Sequence, residues 1–245
     1  MARTALHEDV LEALGGRIVS GDLAEGAVLT LDTIDTEYDV SRSVSREAVR
    51  VLESMGLVAS RRRVGVTVLP RSAWHVYDPR LIRWRLDSED RTRQLRSLGE
   101  LRSGVEPVAA GLAAQRATPE QCAALTAAAS DMVVHGRAGD LEAFLEADIA
   151  FHRILLAASG NEMLAALDGV VAEVLAGRTH HHLMPEHPKD EAVALHVEVA
   201  RAVRSGDADA ARTAMATIIS EATGAVTENA AEATGADGED STRLG

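Results

Sequence analysis

The sequence predicts a mainly α-helical protein: an N-terminal winged helix-turn-helix followed by an antiparallel bundle of six or seven helices. Three observations carry that reading. Residues 42–55 place apolar and arginine positions on two faces at helical spacing and run directly into a stretch rich in β-formers. Residues 90–228 form a series of helical patterns parted by short breaks. Aromatic residues make up only 2% of the chain, so the core must be built from Ala, Leu and Val, which suits closely packed helices better than a sandwich.

Taken in order, residues 4–20 read as an amphipathic helix with Leu6, Val10, Leu14 and Ile18 on one side and Gly21 beyond its end. A turn over Gly21 to Gly26 leads to a short helix from about Asp32 to Tyr38, and a tight turn then enters the arginine-bearing helix. There Val44, Ala48, Val51, Leu52 and Met55 share one face, while Arg42, Arg46 and Arg50 recur every fourth residue on another. Ser41 stands where an N-cap hydroxyl would accept from an amide, and Gly56 can supply the positive φ that ends the helix. Leu57 to Ser60 and Gly65 to Leu69 flank Arg61, Arg62 and Arg63, which predicts a hairpin with a basic tip. Helix-turn-helix plus hairpin makes a winged helix over residues 1–70.

Pro70 and Pro79 bracket a linker, 71–89, with a short helix starting at Asp78 to Trp84. Helices follow at 90–116, 119–135, 139–158, 161–182, 190–205 and 207–228, and their short connections imply antiparallel neighbours in a domain over 90–228. Residues 229–245 are rich in Gly, Glu and Ala without an apolar stripe and are expected to be a disordered tail.

Composition bounds the function. A chain of 245 residues, 46% hydrophobic, can bury one or two real cores. The net charge of −13 excludes a protein that coats nucleic acid through its overall field, so any DNA contact must come from a local basic face. No apolar run is long enough to span a bilayer, the start lacks a signal-peptide pattern, and Cys122 alone cannot form an internal disulfide or a cysteine-based zinc site. These features place the protein in the cytoplasm.

In a winged helix, the second helix of the helix-turn-helix enters the major groove. Arg42 and Arg46 occupy its first turns, where a guanidinium can bind guanine O6 and N7 together. Arg50 lies within reach of a phosphate, and Arg62, Arg63 and Gly65 belong to a wing beside the minor groove. Ser41 and Ser45 complete the candidate DNA-contacting set. The competing reading is a solvated helix whose arginines are neutralised by Glu47 and Glu53. The DNA reading fails if Arg42 and Arg46 both turn inward against the protein's own carboxylates and no groove-sized surface faces solvent.

In the second domain, Asp148 and His152 lie within the stripe of Leu141, Phe144, Leu145, Ile149, Leu155 and Leu156. His196 shares a stripe with Ala192, Val199 and Val203. Buried ionisable groups need a partner. One carboxylate and two imidazoles suit zinc, nickel or manganese; a hydrogen-bonded Asp–His pair with an unrelated core histidine suits the same spacing. Arg102, in line with Leu98, Val105 and Ala109, is either a carboxylate clamp or one half of an internal salt bridge to Glu106. Asn161 is a polar contact for a ligand or the cap of the next helix, and His180, His181 and His182, ahead of Pro185 and His187, read as a solvated helix end.

Val40 to Leu52, then Met55 to Val58 and Arg63 to Val68, resemble the winged-helix signature of the GntR family of bacterial transcription regulators. Arg102 to Glu106, Ala109 to Ala114, Asp148 to His152, Ser159 to Asn161, and His196 ahead of Gly206 and Asp207 resemble the FCD effector domain of the FadR subfamily. The resemblance implies a homodimeric, ligand-responsive transcription regulator, more often a repressor, on a palindromic double-stranded DNA operator. It implies that Asp148, His152 and His196 hold a divalent metal and that a small organic acid binds there and at Arg102. The segment from Asp78 to Trp84 is similar to members that answer to sugar acids. Two departures stand out: Ile218 replaces the usual fourth histidine ligand three residues after Met215, and Leu31 to Glu37 places Asp32 where members carry an arginine. The rivals are a metal-dependent enzyme in a helical bundle, which would lack any further positioned general base, and a metal-sensing regulator without an organic effector.

Overall fold

The structure, a computed structural model, describes residues 2–181, 183 and 187–239, with side chains described for residues 7–224 of these. The chain divides into two compact units, Met1–Arg91 and Thr92–Gly245.

The first unit contains α1 (Ala2–Ser20), β1 (Val28–Leu29), α2 (Leu31–Glu37), α3 (Arg42–Ser54), β2 (Val58–Arg61), β3 (Gly65–Val68) and α4 (Pro79–Leu86). The three strands form an antiparallel sheet in the order β1-β3-β2, with Val58 opposite Val68 and Val28 opposite Thr67. Strand β1 is an addition to the predicted hairpin; two residues are too few to leave a period in the sequence. Val10, Leu14 and Ile18 of α1 are buried with Ile34 of α2 and with Val44, Ala48, Leu52 and Met55, the face predicted for the arginine helix. Gly56 has φ +73, the conformation expected at this helix end, and a side chain there would collide with the Ala73 carbonyl. Ser41 sits at the N-cap but, contrary to expectation, its hydroxyl bonds Ser43 Oγ at 2.9 Å instead of an amide.

Residues 71–89 are packed rather than a free linker. Trp74, Leu81 and Trp84 belong to the first unit's core, and Trp84 Nε1 donates to Glu12 of α1. Asp78 caps α4, its carboxylate accepting from Arg80 N at 2.9 Å ahead of Pro79 in the first turn.

The second unit comprises α5 (Arg91–Arg116), α6 (Pro119–Ala138), α7 (Leu141–Ala158), α8 (Glu162–Ala165), α9 (Asp168–His180), α10 (Asp190–Ser205) and α11 (Ala208–Glu239). Its core is assembled from Ala, Leu, Val and Met around Phe144 and Phe151, as the aromatic-poor composition requires. The helix expected over 161–182 is two helices. Asp168 opens the second one and its carboxylate accepts from Gly169 N at 2.7 Å, a local bond of the kind that favours helix starts. Helix α11 continues to Glu239, past the point where a disordered tail was expected to begin; its alanines favour helix there, against Gly235 and Gly238. Residues 240–245 of that expected tail, with His182 and Pro185, lie outside the described residues.

Candidate nucleic-acid interface and effector cavity

Helix α3 presents a mixed face. Arg46 and Arg50 are exposed; Arg50 pairs with Glu47 one turn earlier at 3.3 Å, whereas no ion pair of Arg46 is found among the described residues. Arg42 is half exposed, but its guanidinium is drawn to α2, where it pairs with Asp32 and lies 3.5 Å from Asp35. Its hydrogen bond to Asp32, with the charge attraction of Asp32 and Asp35, raises its pKa further. The acidic residue that departs from the resemblance therefore competes with any phosphate or base for this arginine. Glu53, which the competing reading pairs with an arginine, instead accepts from Ser60 N at 2.5 Å and fastens β2 to α3.

Ser45 leaves the DNA-contacting set. It is completely buried and its hydroxyl donates to Asp35 Oδ1 at 2.5 Å, so it locks the turn between α2 and α3. The signal was present: Ser45, Ala48, Val49 and Leu52 fall at i, i+3, i+4 and i+7 of the inner face. At the wing, Arg61, Arg62 and Arg63 are exposed, and Arg63 takes φ +67 at the turn. Gly65 has φ +117 and lies against the Leu29 carbonyl of β1, so its lack of a side chain serves the sheet contact.

In the second unit, α7 and α10 bring Asp148, His152 and His196 together, all buried, with one ligand atom from each lying within 4.8 Å of the others. Asp148 Oδ1 is 3.3 Å from His152 Nε2 and 3.5 Å from His196 Nε2. His196 Nδ1 donates to the Ala192 carbonyl at 2.8 Å, which leaves Nε2 with its lone pair toward the cavity. His152 Nδ1 lies 2.6 Å from Glu106 Oε2, a close ionic contact whose angles fall outside hydrogen-bond geometry. Phe151 packs edge-on to both imidazoles, with ring centroids at 5.6 and 5.1 Å, and holds their planes.

The electrostatics call for a cation. Asp148 Oδ1 and His196 Nε2 are buried without a hydrogen-bond partner. Burial opposes charge on His152, yet Glu106 and Asp148 raise its pKa to about 9, so in the bare site a proton supplies the positive charge. A divalent transition metal fits the same donors: one carboxylate and two imidazoles from facing helices, one of them oriented by a backbone carbonyl. Ile218 of α11, which replaces the histidine that the resemblance implies as a fourth ligand, is buried and lines the cavity with an apolar side chain.

Both readings of Arg102 have a place. Its Nε donates to Glu106 Oε1 at 2.5 Å and its Nη2 to Oε2 at 3.3 Å, in a pair shut off from solvent. Against the cost of burial, Arg102 and His152 hold the Glu106 carboxyl down at about 2. Arg102 also lines a cavity of about 520 Å³ with Asp148, His152 and His196. Asn161 is not among the cavity's lining residues: its Oδ1 caps α8 by accepting from Met163 N at 2.9 Å. His180 is exposed and faces Glu142 at 3.6 Å, a solvated helix end.

Arg178 of α9 is a further cavity residue, absent from the set the sequence predicts. It lines the same cavity and follows Val171, Val174 and Leu175 at seven, four and three residues, all buried, so its inward direction was readable from the stripe.

A winged helix with an arginine-bearing second helix, followed by a helical unit that encloses a cavity, defines the class of transcription regulators that carry a DNA-binding domain and a helical second domain. Residues 6–68 match the gntR family of bacterial regulatory proteins and residues 97–221 match the FCD domain; the chain belongs to the GntR family. It is 30% identical over 216 residues to the galactonate operon transcriptional repressor of Escherichia coli K12, covering 87% of this chain and 93% of that one. It is 29% identical over 213 residues to YieP, an HTH-type transcriptional regulator of the same organism, covering 86% and 90%. The solved structure of E. coli McbR/YncC shares the fold, with a TM-score of 0.53 at 18% identity over 91% of this chain and 98% of that one. These relatives are regulators rather than enzymes, and no described helix is long and apolar enough to cross a membrane.

Proposed function

We propose that this regulator acts in the cytoplasm as a homodimeric repressor of a palindromic operator, and that an organic acid, with sugar acids the first class to test, sets its DNA affinity from the cavity between α7 and α10. The observation that carries this is the convergence of three buried metal-ligand side chains and an arginine on one cavity of about 520 Å³. That volume falls in the range of small-molecule sites and exceeds what a bare ion needs, which favours an organic effector over a sensor of metal alone. The name of the galactonate operon repressor, 30% identical, points the same way.

Asp148, His152 and His196 would hold the metal, which when bound supplies a centre that chelates ligand oxygens. Glu106 keeps His152 in place, and Arg102 keeps Glu106 ionised. On the DNA side, Arg46, Arg42 and Arg50 of α3 and Arg62 and Arg63 of the wing form the contacting surface, with Ser41 at the start of the helix. The acid alters operator affinity only by the difference in its own affinity for DNA-competent and DNA-incompetent states.

A thermal-shift screen of sugar acids and dicarboxylates, with and without chelator, tests the effector assignment. A ligand that selects the native state raises the melting point. The same acid should then change protection of the operator; an acid-independent footprint across the screen would leave only constitutive DNA binding.

A further inference from the structure

Arg178 lies on α9 and lines the cavity, where it is mostly enclosed. Its Nε is completely shielded from solvent and has no hydrogen-bond partner, and no ion pair of Arg178 is found among the described residues. Burial, and then repulsion from Arg102, pushes its pKa down to about 10, with Asp148 opposing the shift. Of the two arginines, Arg102 has both its Nε and one Nη committed to Glu106. Among the described residues lining the cavity, the other lysine or arginine is Lys189, which is exposed.

We infer that Arg178, rather than Arg102, is the residue that recognises the carboxylate of the effector, Arg102 being the positioning residue that holds Glu106 and through it His152. This rests on the effector reading above and specifies its charge recognition. A guanidinium whose Nε is shielded from water, and for which neither a hydrogen bond of that nitrogen nor an ion pair is found among the described residues, has donors that a planar carboxylate satisfies with two parallel hydrogen bonds. Arg102 has its Nε–Nη2 edge on Glu106 and its Nη2 3.4 Å from His152 Nε2, so offering that edge to a ligand would release a buried carboxylate, and Nη1 is the nitrogen for which no contact is found among the described residues. The cavity therefore divides its work. Asp148, His152 and His196 would hold a metal that, when bound, supplies a centre for ligand oxygens, while the α9 side reads negative charge, so the effector is an anion bearing a carboxylate in addition to, or extending from, its chelating oxygens.

The full-length, metal-loaded chain is titrated with a panel of aldonates that includes galactonate, each beside the neutral alditol of the same carbon skeleton, with melting point and calorimetry as readouts. The parent should bind at least one aldonate and discriminate against its alditol. Arg178→Gln should bind the acid roughly 30-fold more weakly or worse, leaving it close to the alditol. Its ligand-free melting point should not fall, because no ion pair of Arg178 is found among the described residues; a purely structural arginine would lower it. Should Arg178→Gln fail to fold, Arg178→Lys carries the test, with charge kept and the fork lost, and about tenfold weaker acid binding expected. Undiminished acid affinity in the folded variant, or equal parental affinity for acid and alditol, overturns this assignment alone. A parent that no acid of the panel stabilises overturns the effector reading and this assignment with it.

Discussion

Asp32 of α2 takes the guanidinium of Arg42 at the start of α3, where the recognition helix begins. Both side chains are largely in solvent, so the pair is loose and salt-screened, yet it sets a protein carboxylate against the DNA for the same cation. Asp32→Asn should release Arg42 to the duplex. Operator and non-specific DNA should both bind more tightly, and the log–log salt dependence should steepen by ~1, the signature of one more phosphate contact. Fluorescence anisotropy against salt concentration measures it; an unchanged slope would mean that Arg42 already engages DNA despite Asp32.

Arg46 is the exposed arginine of the first turns for which no competing carboxylate is found among the described residues. It is the best placed to read a base edge. Arg46→Ala should weaken specific operator binding by about ten- to a hundredfold while circular dichroism of the helical unit stays the same. Full protection of the operator by the variant would move base recognition elsewhere, most directly to the wing arginines.

Arg102 and Glu106 are both buried one turn apart on α5, so removing one partner leaves an uncompensated charge. Arg102→Ala should destabilise the chain by about 3–5 kcal/mol in urea unfolding, and the double change Arg102→Met with Glu106→Gln should recover a large part of that loss. Equal destabilisation by the single and double changes would show that Arg102 contributes through packing alone.

How far the sequence led can be judged side chain by side chain. The apolar face of α3, the positive φ of Gly56 and the convergence of Asp148, His152 and His196 follow from helical spacing and glycine chemistry, and the structure places all of them as expected. Ser45 and Arg178 also obey that spacing, but as polar residues in apolar stripes Ser45 is assigned to DNA by its chemistry and Arg178 receives no assignment. Other features had no local signal. The two-residue strand β1 exists through its pairing with β3, and the break at Ala166 and Leu167 contains neither Gly nor Pro. Trp84's place in the first unit depends on Gly15, where any side chain would meet the indole ring, a contact between residues 69 positions apart in sequence.

His152 connects the cavity to pH. Its pKa is raised to about 9 by Glu106 and Asp148 in spite of burial. A raised pKa means that protonation contributes stability that is fully present below the ordinary value of about 6.5 and is lost as pH climbs through about 9. A metal must displace that same proton from the imidazole. Zinc affinity in the purified chain should therefore rise with pH, approaching tenfold per unit between about 6.5 and 8.5, with close to one proton released per metal near pH 7. Calorimetry in buffers of different ionisation enthalpy counts that proton directly. Zinc binding of constant strength across this range, without proton release, would show that His152 is neutral before the metal arrives, and that the Glu106 contact orients the ring without charging it.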